Sequence, residues 1–358
     1  MKNSVIRGVF KMNIKLFDFD LDESLIAQSP ADKRENSRLL LVDKKNLKYE
    51  DKHFYDIVDY LHEGDVLVRN NTKVIPARLF GIKDITNAKV ELLLLKEIEK
   101  DTYECLCGNA KVIKEGVQLI FGDRDLIGTC LEVKDEGIRI IKFSYDGIFL
   151  EILDKLGKMP LPPYIKKQCD DNSRYQTVYA THPGSAAAPT AGFHFTEEIF
   201  NKLKEKGVEV IDVTLHIGLG TFRPVKVEDS DDHVMHSEFY TITKEAAIRL
   251  NEAKKMNKRI IAIGTTSLRT LEANYSTYNC FKETSEDTSI FITPGYKFKA
   301  IDALITNFHL PKSTLLMLVS ALGGREFMLD CYKHAIEEKY RFFSFGDSMF
   351  IFDGYEKQ

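Results

Sequence analysis

No apolar run in this 358-residue chain approaches the ~18 residues that a bilayer-spanning helix needs, which argues against an integral membrane protein. The first residues, MKNSVIRGVFKMNIKLF, carry neither a long apolar stretch nor a small-residue cleavage site, so no secretory signal is expected. Cysteine is sparse and scattered: Cys105, Cys107, Cys130, Cys169, Cys280 and Cys331 form no CxxC pair. That usage fits reduced thiols in the cytoplasm rather than a disulfide framework. A large charge excess is also missing. The net charge of −4 excludes a generic nucleic-acid coat protein, although a global sum leaves room for a local basic cleft. Repeats, low-complexity tracts and long charge runs are absent, so the whole chain is expected to fold, apart from a frayed leader before Met12. The length predicts two or three domains with a core that needs neither disulfides nor a structural metal.

What is present divides the chain by texture. Ser37 to Asp43 reads as a buried strand, and His53 to Leu61 has helical apolar spacing that stops at Gly64. From about Asp65 come short β-rich runs separated by Gly, Asp and Asn at intervals near ten residues, beginning with ValLeuValArg at Val66 and ending before the GKMPLPP segment. Such spacing marks a small barrel or sandwich. Beyond Pro163 helices and apolar strands alternate. Thr196, Thr243 and Ser313 are the expected helix N-caps, with strands at Val208–Leu215, Arg259–Gly264, Asp302–Thr306 and through PheSerPheGlyAspSerMetPheIlePhe. The expected fold class is α/β: a discontinuous α/β domain with a mixed sheet (1–65 and 158–358), interrupted by an inserted small β-barrel domain (66–157).

Six clusters place Gly, Pro, His and hydroxyls where a plain core would carry aliphatics. GSAAAPTAGFHFT puts His194 between two phenylalanines just ahead of a helix start, and a satisfied core histidine is an equally good reading. LHIGLGTFRP holds a lone GxG after a strand, for which a bare tight turn is the better reading. His233 and His236 share HxxH spacing near Glu238, but no distant matching ligand set accompanies them, so acid–base or RNA contact outweighs metal binding. IleGlyThrThrSerLeuArg is a strand–turn–helix whose free N–H groups suit a carboxylate or phosphate, with Arg269 one turn in. ThrAsnPheHisLeuProLysSerThr ends a strand where α/β sheets collect ligands, or is simply a capping loop. ArgAsnAsnThrLysValIleProAlaArg is a phosphate grip or, more commonly, a solvated edge. No single cluster decides a function; together they indicate an enzyme.

GSAAAPTAGFHFTEEI, TLHIGLGTFRPV, HVMHSE, IGTTSLRTLE and ITNFHLPKSTLLMLVSA closely resemble the S-adenosylmethionine:tRNA ribosyltransferase-isomerase family of queuosine biosynthesis. So do FDFDLDESLIAQSPADKRENSRLLLVD, NNTKVIPARLFG and NSRYQTVYA, and the match runs from about Leu16 to Ile351. Departures are few. The family usually carries Asp and Arg where this chain has Asn71 and Lys73, and a leucine where it has Phe193, while the leader lies outside the pattern. Asn71 cannot serve as a carboxylate and receives no catalytic role.

The resemblance implies an α/β domain interrupted by a β-barrel. It also implies transfer and isomerisation of the ribosyl group of S-adenosylmethionine onto 7-aminomethyl-7-deazaguanine at a tRNA wobble position. Epoxyqueuosine-tRNA, adenine and methionine are the products, and S-adenosylmethionine is a consumed substrate, so no cofactor and no metal are expected. A base must take an acidified C5′ proton, an acid must protonate adenine, and the attacking amine must be neutral; histidine suits all three near neutral pH. His194, His216 and His236 are the expected catalytic residues, with Glu238 orienting or assisting. Expected substrate contacts are Arg78, Tyr175, Thr190, Gly192, Phe193, Gly218, Gly220, Thr221, Phe222, Asn307 and His309. The methionine carboxylate is assigned to Gly264, Thr265, Thr266 and Arg269, and the sulfonium to the faces of Phe193, Phe195 or Phe222. Lys166, Lys167, Arg174 and Arg223 are the expected tRNA-binding cluster, with Tyr164 or Tyr175 stacking on an anticodon base. A cytoplasmic monomer is expected. The rivals are a non-catalytic RNA-binding module on the β-domain and a metal-dependent hydrolase centred on His233 and His236.

Overall fold

The computed structural model describes residues 12–166, 172–218, 229–230, 233 and 235–354. Along the chain, β1 (Arg38–Asp43) and β2 (Lys48–His53) precede a short α1 (Ile57–Tyr60) and then β3 (Val66–Asn70) and β4 (Thr72–Val74). Next come β5 (Arg78–Lys83), β6 (Lys89–Glu99), β7 (Thr102–Gly108), β8 (Gln118–Phe121), β9 (Leu126–Val133), β10 (Ile138–Tyr145) and α2 (Phe149–Leu156). The remainder runs β11 (His182–Ser185), α3 (Glu197–Glu205), β12 (Glu209–Leu215), β13 (Glu238–Ile242), α4 (Lys244–Lys255) and β14 (Ile260–Ile263). It ends with α5 (Gly264–Tyr278), β15 (Thr284–Thr288), β16 (Ala303–Asn307), α6 (Thr314–Gly323), α7 (Arg325–Glu337) and β17 (Ser348–Phe352).

Among the described residues nine strands form one mixed sheet in the order β15-β13-β12-β3-β14-β16-β17-β1-β2. Its middle is parallel, β12, β3, β14 and β16 running the same way. Both faces are covered, which explains why β1 reads as an unbroken apolar run. Successive residues point to opposite faces: Leu40 and Val42 join one core with Val68, Leu250 and Leu268, while Leu39 and Leu41 join the other with Phe54, Ile199 and Leu203. Thr196, Thr243 and Ser313 each accept a backbone N–H three residues on, so the three expected N-caps are the observed ones.

The six strands β10-β7-β6-β5-β8-β9 close into an antiparallel barrel. Leu79, Leu92, Cys105, Phe121 and Ile141 fill it, and Phe149 and Leu153 of α2 join the same core. Val66–Asn70 is not the barrel's first strand, as its spacing suggested. It is the centre of the large sheet, paired with β12 and β14, and the barrel starts at Arg78. The buried Asn70 side chain explains the attachment: its amide donates to Leu215 O at 3.0 Å and accepts from Leu215 N at 3.0 Å, tying the exit of β3 to the end of β12.

Candidate active site

The chain crosses the carboxyl edge of the parallel strands at three places, and these turns enclose one cleft. Thr190 and Ala191 form one wall, the Gly264–Thr265–Thr266 start of α5 a second, and the Thr306–Leu310 turn after β16 a third. Tyr164, Ile217, Phe343 and Ser344 complete it, around a volume of about 730 Å³ that includes its open mouth. Ligands in open α/β sheets gather at this edge because the strands end and helices begin there.

Gly264 has φ +84°, a left-handed conformation that turns β14 sharply into α5. The helix has no side-chain cap, so its first N–H groups are not used by a capping side chain. The Thr266 hydroxyl is buried without a hydrogen-bond partner, as are Nε and Nη2 of Arg269 one turn on. Arg269 is 5% exposed and bonds Glu238 through Nη1 at 2.5 Å. His216 N donates to Phe239 O, and the same antiparallel register brings Glu238 alongside Ile217 of the cleft wall. Gly264→Ala should cost about 1–2 kcal/mol, because the strain is in the backbone. The added Cβ would meet Ala191 at an ordinary 3.5 Å. A urea midpoint unchanged from the parent protein would show the turn to be unstrained.

Thr190 donates to Asn307 Oδ1 at 3.1 Å, and Asn307 Nδ2 lies 3.1 Å from His194 Nε2. His194 Nδ1 is 2.7 Å from the Ser37 hydroxyl, which donates to Arg34 O. Burial, then the nearby Arg341 and Arg34 charges, lower the His194 pKa to about 3. Burial alone takes His309 to about 3, where its Nε2 meets the Thr306 hydroxyl at 3.0 Å. Both imidazoles are therefore neutral near pH 7.

Thr190, Gly264, Thr265, Thr266, Asn307 and His309 thus line one cleft. The three expected catalytic histidines do not meet there. His194 stands behind Asn307 with both nitrogens engaged. His216 opens on a second cavity beside β12, bonding Thr72 through Nδ1 at 2.8 Å, its pKa lowered by burial and then by His182. His236 is exposed.

Tyr175 is fully buried against Phe193 and Phe345 and cannot stack on an RNA base. Phe193 and Phe195 are core residues rather than a sulfonium cradle; the aromatic groups on the cleft are Tyr164, Phe308 and Phe343. Gly192 is packed so closely that a Cβ would strike the Tyr179 hydroxyl. Arg78 sits at the root of the barrel, 3.4 Å from Glu91. Gly218 has open space where a Cβ would stand. Arg174 donates to the carbonyls of Ala31 and Asp32, whereas Lys166 is exposed, with Glu23 3.8 Å away. Lys167, Gly220, Thr221, Phe222 and Arg223 lie outside the described residues. Among the described residues no three His, Cys, Asp or Glu side chains group to hold a metal, and no helix is long and apolar enough to cross a membrane.

Phe343 and Ser344 are not legible as site residues in the sequence because PheSerPheGly reads as the start of a strand. The strand begins only at Ser348, and the preceding residues turn across the cleft. The glycine at Gly346 was the available signal: a Cβ there would collide with the Arg341 and Phe342 backbone, as in a tight turn.

A family model described as a queuosine biosynthesis protein matches residues 14–351. The chain belongs to that family. Within it, the chain is 57% identical over 340 residues to the S-adenosylmethionine:tRNA ribosyltransferase-isomerase of Clostridioides difficile (strain 630), covering 95% of this chain and 100% of the relative. The crystal structure of an S-adenosylmethionine tRNA ribosyltransferase from Thermotoga maritima is 37% identical, with a TM-score of 0.55 over 94% of this chain and 99% of that one. The family is one of transferases, and the mixed α/β domain with its closed barrel agrees with that neighbour.

Proposed function

We propose that this protein transfers and isomerises the ribosyl group of S-adenosylmethionine onto 7-aminomethyl-7-deazaguanine at the wobble position of a tRNA. The products are epoxyqueuosine-tRNA, adenine and methionine. The observation that carries the reading is the convergence on one cleft of Thr190, Thr265, Thr266, Asn307 and His309 from three distant motifs. The activity of the 57%-identical relative supports S-adenosylmethionine and tRNA as the substrates.

In this reading the methionine carboxylate lies at the uncapped start of α5, where N–H groups and the helix dipole favour an anion, and Arg269 supplies the compensating charge. The sulfonium faces the cleft aromatics Tyr164 and Phe343, an attraction of roughly 0.5–2 kcal/mol. The sulfonium acidifies the ribose C5′ protons, and His216, which bonds Thr72 through Nδ1 and adjoins Ile217 of the cleft wall in the chain, is the proposed base. His236 is the proposed partner for adenine or the amine. Glu238 serves through Arg269, and His194 is reassigned below. S-adenosylmethionine is consumed, and neither metal nor another cofactor takes part. Lys166 and Arg174 lie on the proposed tRNA-facing side, in a protein that works in the cytoplasm.

The test is mass spectrometry of the purified protein incubated with chelator, S-adenosylmethionine and an anticodon stem-loop carrying 7-aminomethyl-7-deazaguanine. Modified nucleoside together with free adenine and methionine is expected. Intact substrates in a folded preparation would overturn the reading, and activity abolished by chelator would favour the hydrolytic metal rival.

A further inference from the structure

The hydrogen-bond directions around Asn307 are fully determined by its neighbours. Besides His194, its Nδ2 faces the backbone carbonyls of Phe343 at 3.2 Å and Asp347 at 3.3 Å. Carbonyls only accept, so the nitrogen of the amide must lie on that side and Oδ1 on the other. The two Nδ2 hydrogens are shared among these carbonyls and His194 Nε2, and because an amide nitrogen cannot accept, His194 Nε2 must be unprotonated. His194 then carries its proton on Nδ1 and donates it to Ser37, whose hydroxyl passes its own proton to Arg34 O. On the cleft side the Thr190 proton is spent on Asn307 Oδ1. What remains open on this wall is acceptor capacity alone: the lone pairs of Thr190 Oγ1 and the second lone pair of Asn307 Oδ1.

The opposite wall has the reverse character. Ala191, next to Thr190, abuts Gly264, where a Cβ would lie 3.5 Å from that of Ala191. The donor-rich start of α5 and the acceptor pair thus adjoin in one cleft. A group that offers an anion and a hydrogen-bond donor on one carbon fits both, and an amino-acid zwitterion is such a group.

We propose that Thr190 and Asn307 recognise the α-ammonium of the amino-acid end of S-adenosylmethionine, and that His194 is a positioning residue that fixes the Asn307 amide. This rests on the substrate named under Proposed function and goes further by giving the ammonium a site. It also removes His194 from proton transfer, since an imidazole with both nitrogens engaged between Asn307 and Ser37 has no face on the substrate.

The test compares binding of S-adenosylmethionine with that of its desamino analogue, in which hydrogen replaces the α-ammonium. Calorimetry on the full-length protein gives affinities, and steady-state kinetics gives KM and kcat. The parent protein should bind the analogue about 10- to 100-fold more weakly, the range for hydrogen bonds to a charged group. Thr190→Val keeps the shape but lacks the hydroxyl, and should bind the two compounds with nearly equal affinity. His194→Gln offers an acceptor to Asn307 and a donor to Ser37, and should keep most of the discrimination. His194→Ala should lose it through KM, with kcat at saturation falling less than about threefold, against the 10²–10⁴-fold of a lost acid–base group.

Equal affinity of the parent protein for both compounds would overturn the ammonium site, with no variant needing to fold. A kcat that collapses in His194→Gln at unchanged KM would return the residue to catalysis and overturn its positioning role. A parent protein that binds neither compound would fail at the earlier step, overturning the proposed substrate and this inference with it.

Discussion

Replacing Arg269 by methionine should destabilise the α/β domain by about 3–5 kcal/mol, because it removes the charge facing a carboxylate buried in the same site. Glu238 is 4% exposed and Arg269 5%, so water cannot screen or replace the contact. The double variant Arg269→Met with Glu238→Leu should recover most of that loss, since removing both charges also removes the cost of keeping them from water. Recovery of the fold should not restore ligand binding. Affinity for S-adenosylmethionine should stay about 10- to 100-fold below the parent value, because the cation proposed to face the methionine carboxylate is still missing. Urea denaturation and calorimetry on the same three proteins separate the effects. A single variant within about 1 kcal/mol of the parent would show that the pair is no structural element, and a double variant that binds normally would take Arg269 out of the site.

Acid should destabilise this protein well before its carboxylates titrate. Burial holds His194 and His309 down to about 3 in the native state, while in the unfolded chain each returns to the ordinary imidazole value of 6.5. Between those values the unfolded chain binds protons that the native state refuses. The stabilisation by both residues is therefore complete above pH 6.5 and is lost as pH falls towards 3. Each contributes a slope of about 1.4 kcal/mol per pH unit, so together they should cost about 4 kcal/mol between pH 7 and pH 5. His216 and His233, whose pKa values are also lowered, act in the same direction. Glu272 opposes them. Burial raises its pKa although the amides of Lys299, Ala300 and Ile301 bind it, so protonating it favours the native state. Denaturation midpoints at pH 7 and 5 check the balance, and His194→Gln should remove roughly half of the fall. A flat profile would mean that water reaches these rings.

Local chemistry was legible in the sequence wherever one residue determines one geometry. Thr196, Thr243 and Ser313 cap the helices they precede, because a side-chain oxygen at that position meets the same orphan amides in any fold. The cleft residues Thr265, Asn307 and His309 were legible for a related reason: each follows or ends a strand at the edge where such sheets bind ligands. Direction and partnership were not legible. His194 and Tyr175 look equally suited to chemistry and to packing until Ser37 and Asn307 close on one and Phe193 and Phe345 on the other. Val66–Asn70 has the spacing of a barrel strand, and only partners at residues 209–213 and 260–263 reveal that it belongs to the sheet.

That placement of β3 also sets an order of assembly. Every strand of the barrel lies between residues 78 and 145, paired with neighbours close in sequence. β3 must wait for β12 and β14, and β1 for β17, some three hundred residues downstream. Closing such long loops costs entropy before any contact returns it, so long-range pairings form slowly. On a ribosome the barrel can be complete while the strands that preceded it still lack every partner except each other. The insertion is therefore the early-folding part of the molecule, and it holds β3 in reserve, its buried Asn70 unpaired, until Leu215 at the end of β12 arrives, 145 residues later, to claim it.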